Sequence, residues 1–108
     1  MSLYDPDLEV GTKLERVLTI IGSERKHQDV LKAQGRFKHT CADDGMIDWE
    51  RLGCILEEVA EVNMILLNRI DPVKRADGHD NCDVSDTALR KELSQIAALS
   101  AAWMERLV

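Results

Sequence analysis

Apolar residues recur in three stretches of the chain with the spacing of an amphipathic helix. The first stretch follows a helical period over about residues 8–32, and the second covers about residues 49–69. The third extends to about residue 107 and follows Ser85 or Asp86, either of which is a good helix cap. No strand-like alternation and no internal repeat is present. The pattern therefore predicts an all-α protein.

Two polar segments interrupt the helical period. Residues 34–48 contain turn residues without a repeating apolar face, so we expect a loop that ends with Asp48 as the N-cap of the second helix. The second helix should end at Asp71-Pro72, because the residue before proline avoids the helical region. A polar connection would then lead to the third helix.

The length of 108 residues suits one domain, over residues 1–108, with a modest core. The second helix is apolar over more than one stripe, so a single neighbouring helix would leave part of it uncovered. We therefore expect a helical bundle whose core is completed by self-association, as a homodimer or a homotetramer.

The net charge of −6, with no basic stripe, argues against binding to a nucleic acid polymer or to an anionic membrane. No apolar run approaches the roughly 20 residues of a membrane span. The first residues are acidic and do not resemble a signal peptide, and the three cysteines are widely spaced. These features predict a cytoplasmic protein with free thiols.

Carboxylates interrupt the apolar pattern of the second helix. At about 100° per residue, Glu57, Glu58 and Glu61 share one arc of the helix, and Glu92 and Gln95 repeat the i,i+3 spacing on the third helix. An acidic surface face is the alternative interpretation. The apolar flanks, the lack of a cation at i+4 and the matching second pair instead favour a site for a hard divalent cation between two helices.

Glu57-Glu58-Val59-Ala60-Glu61 followed by Glu92-Leu93-Ser94-Gln95 resembles the EExxE…ExxD motif of the MazG-like, all-α nucleoside triphosphate pyrophosphohydrolases. The segment from Glu24 to Gln28 also resembles the first-helix region of some small members, and the likeness covers roughly residues 20–107. It implies a MazG-like bundle that binds Mg²⁺, for which Mn²⁺ can substitute. The implied reaction cleaves a nucleotide substrate between its α and β phosphates, which would cleanse the nucleotide pool.

The resemblance also implies roles for individual residues. Glu58, Glu61 and Glu92 match metal ligands, and Gln95 stands where the motif has aspartate. Glu57 matches the first motif glutamate, which would orient a ligand or position the attacking water. These four glutamates form the expected catalytic set. Because an amide brings no charge, Gln95 leaves open an alternative, namely a helical nucleotide-sensing or protein-interaction module without catalysis.

Substrate contacts are sought near the end of the first helix and in the loop after it. The candidates for binding substrate are Arg25, Lys32, Arg36, Lys38 and Trp49. Each of the four cations also fits an ordinary solvated surface charge. His27 and Phe37 are further candidates for a wall against the base, whereas Trp103 fits the core or an interface. His27 lies on the polar side of the first helix and therefore also fits a surface residue.

Two other metal interpretations have weaker support. His39-x-Cys41 and His79-x-x-Cys82 match the spacing of no common zinc finger. Residues 77–83 are acidic but lack the closing glutamate of a calcium-binding EF-hand, so a solvated loop explains them better.

Overall fold

The structure is a computed structural model that describes residues 11–70 and 83–108. These residues contain three helices and no strand: α1 (Lys13–Ala33), α2 (Asp48–Ile70) and α3 (Asp86–Leu107). The prediction of an all-α protein is confirmed. The predicted entry segment at residues 4–9 and the predicted helix end and polar connection at residues 71–82 lie outside the described residues.

The helix ends follow from local hydrogen bonds. Ser85 is the N-cap of α3, as predicted, because its hydroxyl accepts from the Ala88 N–H at 3.1 Å. The prediction that Asp48 caps α2 is wrong by one position, since Asp48 is already helical. Instead, the Glu50 carboxylate accepts from the Ile47 N–H at 3.0 Å, which satisfies a donor that the helix itself leaves free.

Helix α3 packs against both α1 and α2. Its buried residues are Ser94, Ala98 and Ala102, which recur every four residues and so form one stripe. Small side chains allow neighbouring backbones to approach closely, so α3 can contact both other helices at once. This central position brings the polar residues of α3 next to those of α2.

Ion pairs and hydrogen bonds tie α3 to its neighbours at both ends. Near its C-terminal end, Glu105 pairs with Arg25 of α1 at 2.6 Å. Near its N-terminal end, Asp86 pairs with Arg69 of α2 at 3.0 Å, and Arg69 also donates to the Val84 carbonyl at 2.7 Å. The helices are therefore held together by polar contacts at their ends as well as by apolar packing.

Much of the apolar surface remains uncovered in this chain. Among the described residues, Ile65 is the one large aliphatic side chain that is buried. Leu14 of α1 is 66% exposed, and Leu56 and Met64 on α2 are also exposed. The apolar pattern in the sequence predicted that these residues lie on helices, as they do. In a single copy of the chain they nevertheless remain exposed. Within the described parts of the chain, no helix is both long and apolar enough to cross a membrane.

Candidate functional site

The acidic residues of α2 and the polar pair of α3 meet where these two helices pack. With its amide oriented to donate, Gln95 places its nitrogen 2.6 Å from Glu58 Oε2 and 3.0 Å from Glu92 Oε2. These three residues are hereafter called the carboxylate cluster, and Glu58 precedes the other two by more than 30 positions in the sequence. The structure therefore brings together residues from both of the sequence motifs.

Glu58 is the most perturbed carboxyl group of the cluster. Partial burial, a hydrogen bond with Glu92 and repulsion from Glu92, Glu61 and Glu57 raise the pKa of Glu58 to about 7. Among the described residues, no lysine, arginine or histidine forms an ion pair with any of these four glutamates. The raised pKa favours the protonated form of Glu58, and the Gln95 amide, rather than a cationic side chain, faces both carboxyl groups.

The chemistry of the cluster suits a hard cation. Its donors are all oxygens once the Gln95 amide turns its oxygen inward, and oxygen is what Mg²⁺ and Mn²⁺ prefer. No group of three or more His, Cys, Asp or Glu side chains in the described part of the chain is arranged to hold a metal ion. The cluster has two carboxyls and one amide, and Glu61 is exposed near it on α2. The cluster itself therefore offers at most three oxygen-donating side chains, fewer than the six ligands that Mg²⁺ takes.

A pocket of about 430 Å³ lies against the cluster and is hereafter called the central pocket. It is bounded by α1, the loop of residues 34–47, α2 and α3. Its lining includes three residues of the acidic motifs, two cations and several apolar side chains: Glu57, Glu58 and Gln95, then Arg36 and Lys38, then Leu31, Phe37, Met46 and Leu99. The volume lies within the range of small-molecule sites, and the lining combines an apolar wall with converging polar groups.

Arg51 of α2 holds the loop that forms one wall of the central pocket. It is only 4% exposed and donates to the carbonyls of Cys41 at 2.8 Å and Asp43 at 2.5 Å. Its third contact is an ion pair with Asp48 at 2.7 Å. The sequence pattern did not predict this role. The available signal was that Arg51 precedes Glu58 by seven residues and so lies on the same side of α2.

Asp43 anchors the same loop to α1. Its carboxylate accepts from the Thr40 N–H at 3.1 Å and pairs with Lys32 at 2.6 Å. The hydrogen bond from Lys32 is the main reason that the pKa of Asp43 is lowered. Asp44 in turn pairs with Arg106 of α3. The loop is therefore connected to all three helices.

The five predicted substrate contacts lie in different environments. Arg36 and Lys38 line the central pocket. Arg25 and Lys32 have carboxylate partners in the ion pairs described above and do not line it. Trp49 is 79% exposed and is also outside the lining. Arg36 and Lys38 are thus the predicted phosphate contacts that share a pocket with the carboxylate cluster.

The other aromatic candidates also lie partly inside and partly outside the lining of the central pocket. His27 and Phe37 line the central pocket, and Trp103 of α3 is half-buried outside its lining. Phe37 therefore contributes an aromatic ring to the wall of the central pocket.

Two thiols meet in the wall of the central pocket. Cys41 and Cys54 both line it and lie close enough for each to affect the pKa of the other. Burial raises the pKa of the Cys41 thiol to about 11, and burial followed by repulsion from Glu57 raises the pKa of Cys54. Both thiols stay protonated near neutral pH, so neither is a ready nucleophile. The other half of the zinc interpretation, His79 and Cys82, lies outside the described residues.

Comparison of the chain with protein families, curated proteins and solved structures gives no match. Function is therefore inferred from the carboxylate cluster, from the central pocket beside it and from the motif resemblance.

Proposed function

We propose that this protein is a Mg²⁺-dependent nucleotide pyrophosphohydrolase with a MazG-like bundle. It would convert a (deoxy)nucleoside triphosphate to the monophosphate and pyrophosphate, and Mn²⁺ would substitute for Mg²⁺. The observation that supports this proposal is the contact of Gln95 with both Glu58 and Glu92 at the edge of the central pocket. The free thiols Cys41 and Cys54 suit the reducing cytoplasm, where cleansing of the nucleotide pool would take place.

In this proposal, the residues of the cluster and the neighbouring Glu57 and Glu61 have distinct tasks. Glu58, Glu61, Glu92 and Gln95 would hold the ion, and Glu58 would release its proton when it does so. Bound Mg²⁺ would neutralise phosphate charge and lower the pKa of a bound water. Glu57 lines the central pocket next to Glu58, where it would orient the attacking water. Gln95 would turn its amide so that oxygen, rather than nitrogen, faces the cation.

Arg36 and Lys38 of the loop would bind the phosphates. Both are exposed and line the central pocket together with Glu57 and Glu58. A triphosphate adds several negative charges to a site that is already acidic, so cations on the loop are needed to offset the repulsion. Charge complementarity would thus favour phosphates between the loop and the cluster, with the base against the apolar wall.

The uncovered apolar surface supports self-association as a homodimer or homotetramer. Leu56, Val59, Leu66 and Leu67 are exposed along α2. A monomer seldom exposes so many large apolar side chains along one helix, and a second copy would bury them. The helix pair that carries the cluster would then be supported from outside.

The direct test is pyrophosphate release from a panel of nucleoside triphosphates with Mg²⁺ or Mn²⁺. Removing one carboxylate with Glu92→Gln should lower kcat/KM by about 100-fold or more, because the charge that holds the cation is lost. Glu15→Gln is the matched control, since Glu15 is an exposed carboxylate at the start of α1, far along the chain from the cluster. If no triphosphate is cleaved, or if Glu92→Gln matches the parent, the proposed reaction is wrong.

The second candidate function is a nucleotide-sensing or interaction module that has lost catalysis. Gln95 supports it, because the amide replaces a motif carboxylate and lowers the charge available to a cation. Nucleotide binding measured by calorimetry, without pyrophosphate release under any cation condition, would favour this module over the enzyme.

A further inference from the structure

Cys41 and Cys54 are two thiols in the wall of the central pocket, and the catalytic roles proposed above do not use them. Cys41 belongs to the loop and Cys54 to α2, yet each thiol lies close enough to affect the pKa of the other. Arg51 lies one turn before Cys54 and donates to the Cys41 carbonyl at 2.8 Å, which holds the loop against this face of α2. The fold therefore keeps the two cysteines next to each other.

The two thiols differ in exposure. Cys41 is only 1% exposed, so a dissolved reagent does not reach its sulfur in the folded protein. Cys54 is half-buried and lines the central pocket together with the exposed Arg36 and Lys38, so it can be approached from solvent. A reagent would therefore react first with Cys54, and Cys41 would react with the group already attached there.

We propose that Cys41 and Cys54 form a site of reversible oxidation, at which a small-molecule disulfide such as oxidised glutathione converts the pair to an intramolecular disulfide. The Cys54 thiolate attacks one sulfur of the reagent, forms a mixed disulfide and releases the first reduced thiol. The Cys41 thiolate then attacks the Cys54 sulfur of that mixed disulfide and releases the second. The protein gives up two electrons and two protons in all, and the reagent takes them up as two thiols.

The new bond would fix one wall of the central pocket. The ion pairs and hydrogen bonds described above hold the loop in the reduced protein. The disulfide would add a covalent link between the loop that carries Arg36 and Lys38 and the helix that carries Glu57 and Glu58. It would also close a short segment of the chain and so restrict the unfolded state.

The pKa values of the two thiols predict a slow reaction. Burial raises the pKa of Cys41 to about 11, and burial followed by repulsion from Glu57 raises the pKa of Cys54. Exchange requires a thiolate at each step, so disulfide formation should be slow at neutral pH. Its rate should rise by up to about tenfold for each unit of pH toward the alkaline range.

The test uses the full chain with Cys82 replaced by serine, so that Cys41 and Cys54 are the two remaining cysteines. After treatment with oxidised glutathione at mildly alkaline pH, we expect the intact mass to fall by two hydrogens and dithiothreitol to restore it. In the same background, Cys41→Ser should stop at the mixed disulfide, because no second thiol displaces the glutathione. Cys54→Ser is the matched control, since it keeps the buried Cys41 and should not react while folded.

Two further measurements do not depend on how well these variants fold. Peptide mapping of the oxidised Cys82→Ser protein without reductant should find Cys41 linked to Cys54. Its thermal unfolding should occur about 10 °C above that of the reduced form. The proposal is wrong if both thiols stay free after prolonged treatment, if a lasting glutathione adduct forms in place of the disulfide, or if Cys54→Ser reacts as fast as Cys41→Ser. None of these results requires cleavage of a triphosphate, so this inference and the proposed reaction are tested separately.

Discussion

Replacing Glu58 with glutamine should stabilise the metal-free protein, and the gain should grow as the pH rises. The Glu58 carboxyl is partly buried and lies beside Glu92, Glu61 and Glu57, so its ionised form is disfavoured in the folded state. Glutamine has nearly the same shape, carries no charge at any pH and still offers an amide to Glu92. The substitution therefore removes the repulsion without opening a cavity.

The magnitude follows from the pKa. In the folded protein the pKa of Glu58 rises from 4.5 to about 7, so the favourable contribution of its protonated form is complete below about 4.5 and is lost as the pH passes through about 7. If the whole pKa shift acted on folding, it would correspond to about 3 kcal/mol of unfolding free energy. Because the carboxyl retains contact with solvent, we expect about 1–2 kcal/mol at pH 8. For a domain of this length, that is a rise in Tm of about 5–10 °C.

The assay is thermal and urea unfolding of parent and variant in EDTA between pH 5 and pH 8. The two curves should nearly coincide at pH 5 and separate by pH 8. Glu57→Gln is the comparator, because it removes a charge from the preceding, exposed position and should give a smaller gain. A difference between parent and Glu58→Gln that does not change with pH would refute the reasoning.

The same unfolding measurements, repeated with divalent cations in place of EDTA, test the metal role of the cluster. Free Mg²⁺ at about ten times its Kd should stabilise the parent by about 1.4 kcal/mol. Glu58→Gln should lose this stabilisation, since the substitution removes a charged ligand. Melting of the parent that is indifferent to millimolar Mg²⁺ and Mn²⁺ would favour an acidic surface without a metal role.

Three further predictions concern other parts of the molecule. Calorimetric titration with Mn²⁺ should show tighter binding by Gln95→Glu, which adds charge at equal length, and weaker binding by Gln95→Ala; identical affinities would place residue 95 outside the site. Arg51→Lys should lower the free energy of unfolding by about 3 kcal/mol in urea, because lysine cannot reproduce the fork that binds the Cys41 and Asp43 carbonyls. On a sizing column the parent should run as a dimer or tetramer, and a monomer at high concentration would leave the exposed apolar side chains of α2 unexplained.

The positions of the helices were largely predictable from local features. The period of 3.6 residues marked the second and third helices to within about one residue of the observed α2 and α3. Ser85 was recognisable as a cap because its hydroxyl needs only the N–H three residues ahead. The predicted start of α2 was one residue too late. Asp48 and Ile47 both precede a plausible first turn, and the actual start depends on the Glu50 carboxylate, which accepts from the Ile47 N–H.

The sequence also showed which carboxylates share a face of the second helix. It did not show which of them contacts the third helix. Spacing showed that Glu57, Glu58 and Glu61 share an arc of one helix. Which of them meets α3 depends on the rotation of one helix against the other. The structure selects Glu58 for the contact with Gln95 and leaves Glu61 exposed.

The sequence by itself determined the approximate extents of α2 and α3, the Ser85 cap and the acidic motif, since each depends on residues within one or two helical turns. It did not fix the start of α1, which was predicted near residue 8 and begins at Lys13 after the Thr12 cap. Only the tertiary structure decided that Arg51 secures the pocket loop and that Gln28 is buried in the wall of the central pocket. It also decided that Arg36 and Lys38 line this pocket, whereas Lys32 pairs with Asp43. These contacts join residues on different helices and loops. They follow from the packing of α3 against both neighbours, and no local period along the chain encodes that packing.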